Sequence, residues 1–350
     1  MKWTRREFIP AMAAICVGAG LPVTISADPE KEKKNLHQDR VTIKPPALKK
    51  GDKIAITSPA GALREHTDAD KFKKLLEKLG FEVIMGMTVK AKHGYFSGTD
   101  EMRLNELHKF FADKTIKGIV CMKGGYGCAR IIDQLDYEMI SKNPKIFMGF
   151  SDITALIHSI YHYSGVVTFH GPVGNSSWNE YSVDYITRTV MLGEKVKYSP
   201  GSDVKNDPIV TYKSGIAEGK LAGGNLSVLC SLAGTKWFPE TAGRVLFLED
   251  VHEEPYRLDR MLQQLKLMGV FENISGLVLG KFPKCFAEEP DFAFSIPEVF
   301  SQHFSKAKFP VYSGAMIGHV ANKYTLPIGI NARMDADKGT IELLEEAVVK

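Results

Sequence analysis

Three residue types that together transfer acyl groups follow three separate apolar runs. In Met148-Gly149-Phe150-Ser151-Asp152-Ile153-Thr154 a strand-like run reaches Gly-x-Ser and then a helical pattern. This is close to a nucleophile elbow. A tight turn exposes the serine hydroxyl, and the amide of the next residue, Asp152, faces a developing oxyanion from a helix N-terminus. The full pattern has glycine two places after the serine, where this chain has Ile153. On this segment alone, a serine that merely caps the helix is the better account. In Val245-Leu246-Phe247-Leu248-Glu249-Asp250 an apolar run delivers a carboxylate at its end. Scaffold strands present functional groups there, although charge also simply ends strands. In Gly314-Ala315-Met316-Ile317-Gly318-His319 a histidine follows a strand-like run, and the glycine before it permits an unusual backbone angle or a close approach. His170, in Phe169-His170-Gly171-Pro172, competes for the same role. The order Ser, Glu, His is one that acyl-transfer triads use. A fourth segment, Gly124-Gly125-Tyr126-Gly127, follows a strand, so its amides are free to cradle an anion. Its spacing is neither that of a nucleotide P-loop nor that of a dinucleotide fingerprint.

The elements that must position these residues alternate. Strands are predicted at 53–58, 81–85, 116–122, 145–149 and 166–169, with helices at 67–79, from an N-cap at Thr99, at 128–135 and at 152–163. After Thr99, Leu104, Leu107, His108 and Phe111 recur at one helical face. Residues 199–214 carry Pro, Gly, Ser and Asp without a clear period and mark a boundary. Beyond it come a glycine-rich segment (219–226), strands at 244–248, 276–280, 310–316 and 339–344, and helices near 255–268 and 296–304. The alternation predicts an α/β protein: an N-terminal domain (47–205) with a mainly parallel sheet flanked by helices, and a C-terminal mixed β/α domain (215–350).

Length and composition fit this reading. At 350 residues, roughly two domains are expected. Hydrophobic residues at 44% and charged residues at 25% exclude gross disorder, collagen and coiled coil. A net charge of +4, with both signs mixed, is too weak for a nucleic-acid binder. The N-terminus is different in kind. Thr4-Arg5-Arg6-Glu7-Phe8-Ile9 opens a stretch uncharged from Phe8 to Ala27, followed by a charged linker (28–46). This has the layout of a cleaved export signal and resembles the twin-arginine type, which places the mature protein in the periplasm or otherwise outside the cytoplasm. A retained anchor is the alternative, since twenty uncharged residues can just span a bilayer; Pro10, Gly18, Gly20 and Pro22 make it a poor helix. Ile15 before Cys16 argues against lipidation. Removing residues 1–27 takes away Lys2, Arg5, Arg6 and Glu7 and leaves a net charge of about +2. No later segment has a membrane-spanning apolar run. Cys121, Cys128, Cys230 and Cys285 have no metal-ligand spacing and read as small buried hydrophobes; an oxidising compartment also permits a disulfide that spacing cannot assign.

Taken together, Lys123-Gly124-Gly125-Tyr126-Gly127, Gly149-Phe150-Ser151-Asp152-Ile153-Thr154-Ala155-Leu156, Phe169-His170-Gly171-Pro172, Gly223-Gly224-Asn225-Leu226, Leu248-Glu249-Asp250 with Pro255 to Leu262, and Gly318-His319 followed by Leu326-Pro327-Ile328-Gly329 resemble the LD-carboxypeptidase family of serine peptidases. Gly98-Thr99-Asp100 with Arg103 also fits, and the resemblance spans residues 47–345. It implies an active site between the two domains, with Ser151 as nucleophile, His319 as general base and acid, and Glu249 orienting the histidine. It further implies an oxyanion hole from the Gly124 or Gly125 amide and the Asp152 amide. His170 becomes structural. No metal or cofactor is implied, and the substrate is a small peptide, the peptidoglycan tetrapeptide, trimmed by loss of D-Ala. A homodimer is also compatible with the family. Arg130, Arg257 and Arg260 are candidates for the substrate carboxylate. Known wall-recycling members are cytoplasmic, so an export signal is a departure. Two other readings stand beside this one. One is the microcin C immunity branch, which hydrolyses an aminoacyl-nucleotide analogue and would use an aromatic such as Trp178. The other is a non-catalytic periplasmic binder of wall peptides, which would not need Ser151.

Overall fold

The computed structural model describes residues 41–200 and 208–350. The proposed export signal and the linker up to residue 40 lie outside the described residues. In chain order the strands are β1 (Lys53–Thr57), β2 (Glu82–Met85), β3 (Ile116–Cys121), β4 (Ile146–Gly149), β5 (Phe169–His170), β6 (Lys197–Tyr198), β7 (Val210–Lys213), β8 (Ile216–Asn225), β9 (Val245–Glu249), β10 (Gly276–Leu279), β11 (Val311–Ser313), β12 (Leu326–Pro327), β13 (Asn331–Asp335) and β14 (Thr340–Leu343). One sheet has the order β12-β5-β4-β3-β1-β2 and the other β6-β14-β13-β8-β9-β10-β11-β7. β1 to β5 are mutually parallel, as are β8 to β11. β4 and β9 are buried along their whole length, as expected of parallel strands covered on both faces. The α/β expectation therefore holds in both halves.

Two of the predicted N-terminal helices form close to where the apolar spacing places them. Thr67–Lys78 buries Ala69, Phe72 and Leu76. Asp100–Ala112 is capped by Thr99, whose hydroxyl accepts from the Met102 amide at 3.2 Å. Its buried face differs from the predicted stripe: it holds Arg103, Glu106, Leu107, Phe110 and Phe111, while Leu104 and His108 are half-buried. Two charged residues take core positions because each finds partners at the ends of other elements. Glu106 accepts from the Thr57 hydroxyl at 2.7 Å and the Thr88 amide at 3.0 Å.

Three other expectations need correction. Residues 128–135 form two short 3₁₀ turns (Cys128–Arg130 and Ile132–Gln134) rather than one helix. The run at 166–169 supplies only the two-residue β5. The glycine-rich segment after 215 is a ten-residue strand, β8. Its glycines serve close approach: at Gly223 (φ +136°) an added Cβ would lie 1.9 Å from the Phe247 carbonyl oxygen on β9. The end of the predicted linker is anchored, since Ile43 donates to the Gly165 carbonyl at 2.8 Å and the Pro45 carbonyl accepts from the Val349 amide at 2.9 Å.

The chain crosses between the sheets more than once. β6 pairs with β14 in the second sheet, and β12 returns to pair antiparallel with β5 in the first. The loop from β11 to β12 therefore leaves one sheet and ends in the other. It carries His319.

Candidate active site

Ser151 and His319 lie on the segments that follow the carboxyl ends of the parallel strands β4 and β11, and Glu249 is the last residue of the parallel strand β9. Ser151 follows β4 and stands at φ +64°, a left-handed conformation uncommon for a non-glycine residue. Such strain costs about 1–3 kcal/mol and recurs at functional turns. The departure at Ile153 is accommodated by packing: Ile153 lies over Gly149, where an added Cβ would fall 2.8 Å from its Cγ2. The glycine loop after β3 lies directly against the serine. A side chain on Gly124 would put its Cβ 2.8 Å from Ser151 Cβ and 3.3 Å from the Asp152 amide nitrogen. Gly125 has φ +118°, and the Gly125 and Asp152 amides donate to no carbonyl in the described loops.

Buried charge holds these loops in place. The Asp152 carboxylate, buried, accepts from the Cys128 amide at 2.9 Å; burial raises its pKa and that hydrogen bond works against the rise. Arg103 is fully buried and ties the loop after β1 to the loop after β3, donating to the Pro59 carbonyl and, at 2.9 Å, to the Gly127 carbonyl. Its other arm pairs with Asp100.

Glu249 ends β9 with a side chain closed to solvent. His319 Nδ1 lies 2.8 Å from Glu249 Oε2, and His319 Nε2 lies 3.1 Å from Ser151 Oγ. A neutral imidazole that donates from Nδ1 to the carboxylate presents an Nε2 lone pair to the serine hydroxyl. The neighbouring Asp250 fixes the turn after β9: it accepts from Asn225 Nδ2 at 3.1 Å, the Ser227 amide at 2.8 Å and the Val251 amide at 2.9 Å. Burial, and then Glu249, push its carboxyl up to about 6.

Gly318 allows His319 and Glu249 to meet. It has φ +113°, and an added Cβ would lie 2.6 Å from Glu249 Oε2. Gly318→Ala must therefore displace the histidine loop or the carboxylate. It is expected to lower kcat by about 100-fold, the size of effect that follows an ångström of misplacement. Steady-state kinetics beside a thermal melt would separate this from unfolding.

Comparison with known proteins identifies the family of the chain. The profile of the LD-carboxypeptidase N-terminal domain matches residues 54–171, and that of the LD-carboxypeptidase C-terminal domain matches 218–334. The chain is 36% identical to the probable murein peptide carboxypeptidase of Bacillus subtilis, over 85% of this chain and 93% of the relative. The chain belongs to the LD-carboxypeptidase family. It is also 32% identical to the murein tetrapeptide carboxypeptidase of Pseudomonas aeruginosa, covering 82% of this chain and 94% of the relative. A solved structure of the microcin C7 self-immunity protein in complex with aspartyl sulfamoyl adenosine superposes with a TM-score of 0.77 at 28% identity, covering 88% of this chain and all of the other. As a member of this family the protein is an enzyme of the carboxypeptidase class.

The structure of this LD-carboxypeptidase family member also sorts the remaining candidates. Ser151, Glu249, His319, Gly124 and Asp152 come together, with Gly125 next in the same loop. Among the described residues His170 makes no hydrogen bond from either ring nitrogen, and its ring lies between Phe150 and Phe247, at centroid distances of 5.9 and 5.2 Å. Trp178 packs on Phe72 and donates to the Val173 carbonyl at 2.9 Å, so its ring belongs to the core. Arg130 is bound to Asp100, Arg257 to Glu253, and Arg260 lies over the Tyr256 ring. Lys323, four residues after His319, was not singled out by the sequence reading. Its only prior signal was its place between His319 and the Leu326-Pro327-Ile328-Gly329 block.

Burial pushes His158 and His170 down to about 4 from an ordinary value of 6.5. The unfolded chain takes up these protons below about pH 6.5, the folded chain only near pH 4. Stability present above pH 6.5 is therefore lost as pH falls through that window, by at most about 3 kcal/mol per histidine. Asp250 works in the opposite sense between about pH 4 and 6, because the folded state holds its proton there. His170→Phe keeps the ring packing and removes one titrating group. It is expected to shrink the difference in urea-unfolding stability between pH 7 and pH 5. An unchanged difference would show that His170 does not contribute.

Proposed function

We propose that this protein is a serine LD-carboxypeptidase that releases the terminal D-Ala of peptidoglycan stem tetrapeptides, acting outside the inner membrane. The observation that carries the reading is the continuous line from Ser151 Oγ through both ring nitrogens of His319 to Glu249, set in a chain of this family. Free serine is a poor nucleophile, so His319 Nε2 takes its proton as Oγ attacks the scissile carbonyl. Glu249 holds the productive tautomer and stabilises the imidazolium that forms. The amides at Gly125, or Gly124, and Asp152 receive the oxyanion, at about 2.7–4 kcal/mol per donor in comparable sites. His319 then protonates the departing amine of D-Ala. A water activated by the same imidazole hydrolyses the acyl-enzyme. The Thr4-Arg5-Arg6-Glu7-Phe8-Ile9 segment supports export.

The test is direct. Purified protein is incubated with a disaccharide tetrapeptide, a pentapeptide and aspartyl sulfamoyl adenosine, and the products are followed by mass spectrometry. Loss of one D-Ala from the tetrapeptide alone is the expected result. Cleavage of the nucleoside analogue instead would replace this reading with the immunity-type activity, for which the packed Trp178 offers no support. A reporter fused to residues 1–35 that stayed in the cytoplasm would remove the export proposal.

A further inference from the structure

A carboxypeptidase must tell a chain end from a continuing chain, and the mark of a chain end is a carboxylate. The arginines nearest in sequence to the site are committed elsewhere. Arg130 contacts Asp100 through Nη2 at 2.6 Å and Nε at 2.8 Å. Arg257 and Arg260 both stack on the exposed Tyr256, and Arg257 also reaches Glu253.

Lys323 is different. It lies on the loop that carries His319 between the two sheets and is 4% exposed. Its Nζ contacts the Ser176 hydroxyl at 3.3 Å and stands 4.3 Å from the centre of the Phe150 ring. Phe150 immediately precedes Ser151, and its ring packs 4.8 Å from that of His319. Among the described residues no carboxylate forms an ion pair with this ammonium. One hydroxyl and one aromatic face are weak compensation for a cation taken out of water. An ammonium has three donors, and the Ser176 hydroxyl uses one. Burial lowers its pKa to about 8, opposed by Glu249, so the group still carries its charge at neutral pH.

We infer that Lys323 binds the C-terminal carboxylate of the peptide substrate, with the Ser176 hydroxyl steadying the ammonium and the Phe150 ring forming its floor. The inference rests on the carboxypeptidase reading above and assigns the group by which that site recognises a chain end.

The experiment compares two substrates that differ only in that charge: a stem tetrapeptide ending in D-Ala and the same peptide ending in D-alaninamide. Wild-type protein is expected to prefer the acid in kcat/KM by about 100-fold, the effect of removing one partner of a buried charge pair. Lys323→Met is expected to lose that preference through the acid alone, leaving the amide within a few-fold of wild type. Lys323→Arg, which keeps the charge, should retain most of it. Equal cleavage of acid and amide by the wild type would overturn the inference without any variant. A Lys323→Met protein that loses both substrates by the same factor would also overturn it, assigning the lysine a structural role. A wild type that releases neither D-Ala nor D-alaninamide would instead defeat the carboxypeptidase reading itself.

Discussion

Ser151→Ala is expected to abolish release of D-Ala, lowering kcat by about a million-fold, the loss found when the nucleophile of such a triad is removed. Two features make the expectation sharp. The serine hydroxyl is the group that His319 Nε2 faces, at 3.1 Å, and it lies against the glycine loop at Gly124. The substitution also asks nothing new of the backbone. Ser151 already occupies a left-handed conformation, which alanine tolerates about as well as serine, and removing one hydroxyl creates no clash. The variant should fold, bind the tetrapeptide with an affinity near wild type, and form no acyl-enzyme. Mass spectrometry of the intact protein after mixing with substrate reads that last point directly. A Ser151→Ala protein that keeps activity within tenfold of wild type would remove the nucleophile assignment, whereas a wild type that binds the tetrapeptide without turnover would point to a non-catalytic binder.

The parts of this molecule legible in its sequence are those whose physics is local. β4 and β9 are covered on both faces, so they read as apolar runs; Ser151 comes two residues after β4 and Glu249 is the last residue of β9. Thr99 could be read as a cap because the rule spans three residues. What stayed hidden depends on partners distant in the chain. Arg103 and Glu106 look like solvent-facing charges on an amphipathic helix. They are core residues only because the ends of β1 and β3 bring carbonyls and hydroxyls to meet them. β12 has two residues, too few for any period, yet it is what draws the histidine loop from one sheet to the other. Lys323 is hidden for the same reason: a lysine among Ala321, Asn322 and Tyr324 looks exposed until Phe150 and Ser176 close over it. Trp178, an aromatic in a polar loop, packs against Phe72 at the edge of the core, the hydrophobic plug that its type suggests.

Glu249→Gln is expected to lower kcat by about 10,000-fold with little change in the fold. The wild-type carboxylate can only accept, so it fixes the proton of the imidazole on Nδ1 and leaves Nε2 free to take the serine proton. A glutamine has the same shape but one donor end. Turned toward His319, the amide NH₂ forces the proton onto Nε2, and the base can no longer accept from Ser151. Turned the other way, the NH₂ occupies the place of Oε1, which is buried without a hydrogen-bond partner among the described residues, so this orientation leaves an unsatisfied donor in the interior. Either orientation also withdraws the negative charge that stabilises the imidazolium. The double variant provides the deciding measurement. If Ser151, His319 and Glu249 act as one unit, Ser151→Ala combined with Glu249→Gln should be no slower than Ser151→Ala alone, because a carboxylate that orients the base has no effect once the base has nothing to deprotonate. A further loss comparable to that of the single Glu249→Gln change would mean that the carboxylate acts independently of the serine, through substrate binding or loop structure, and would break the triad assignment at this residue.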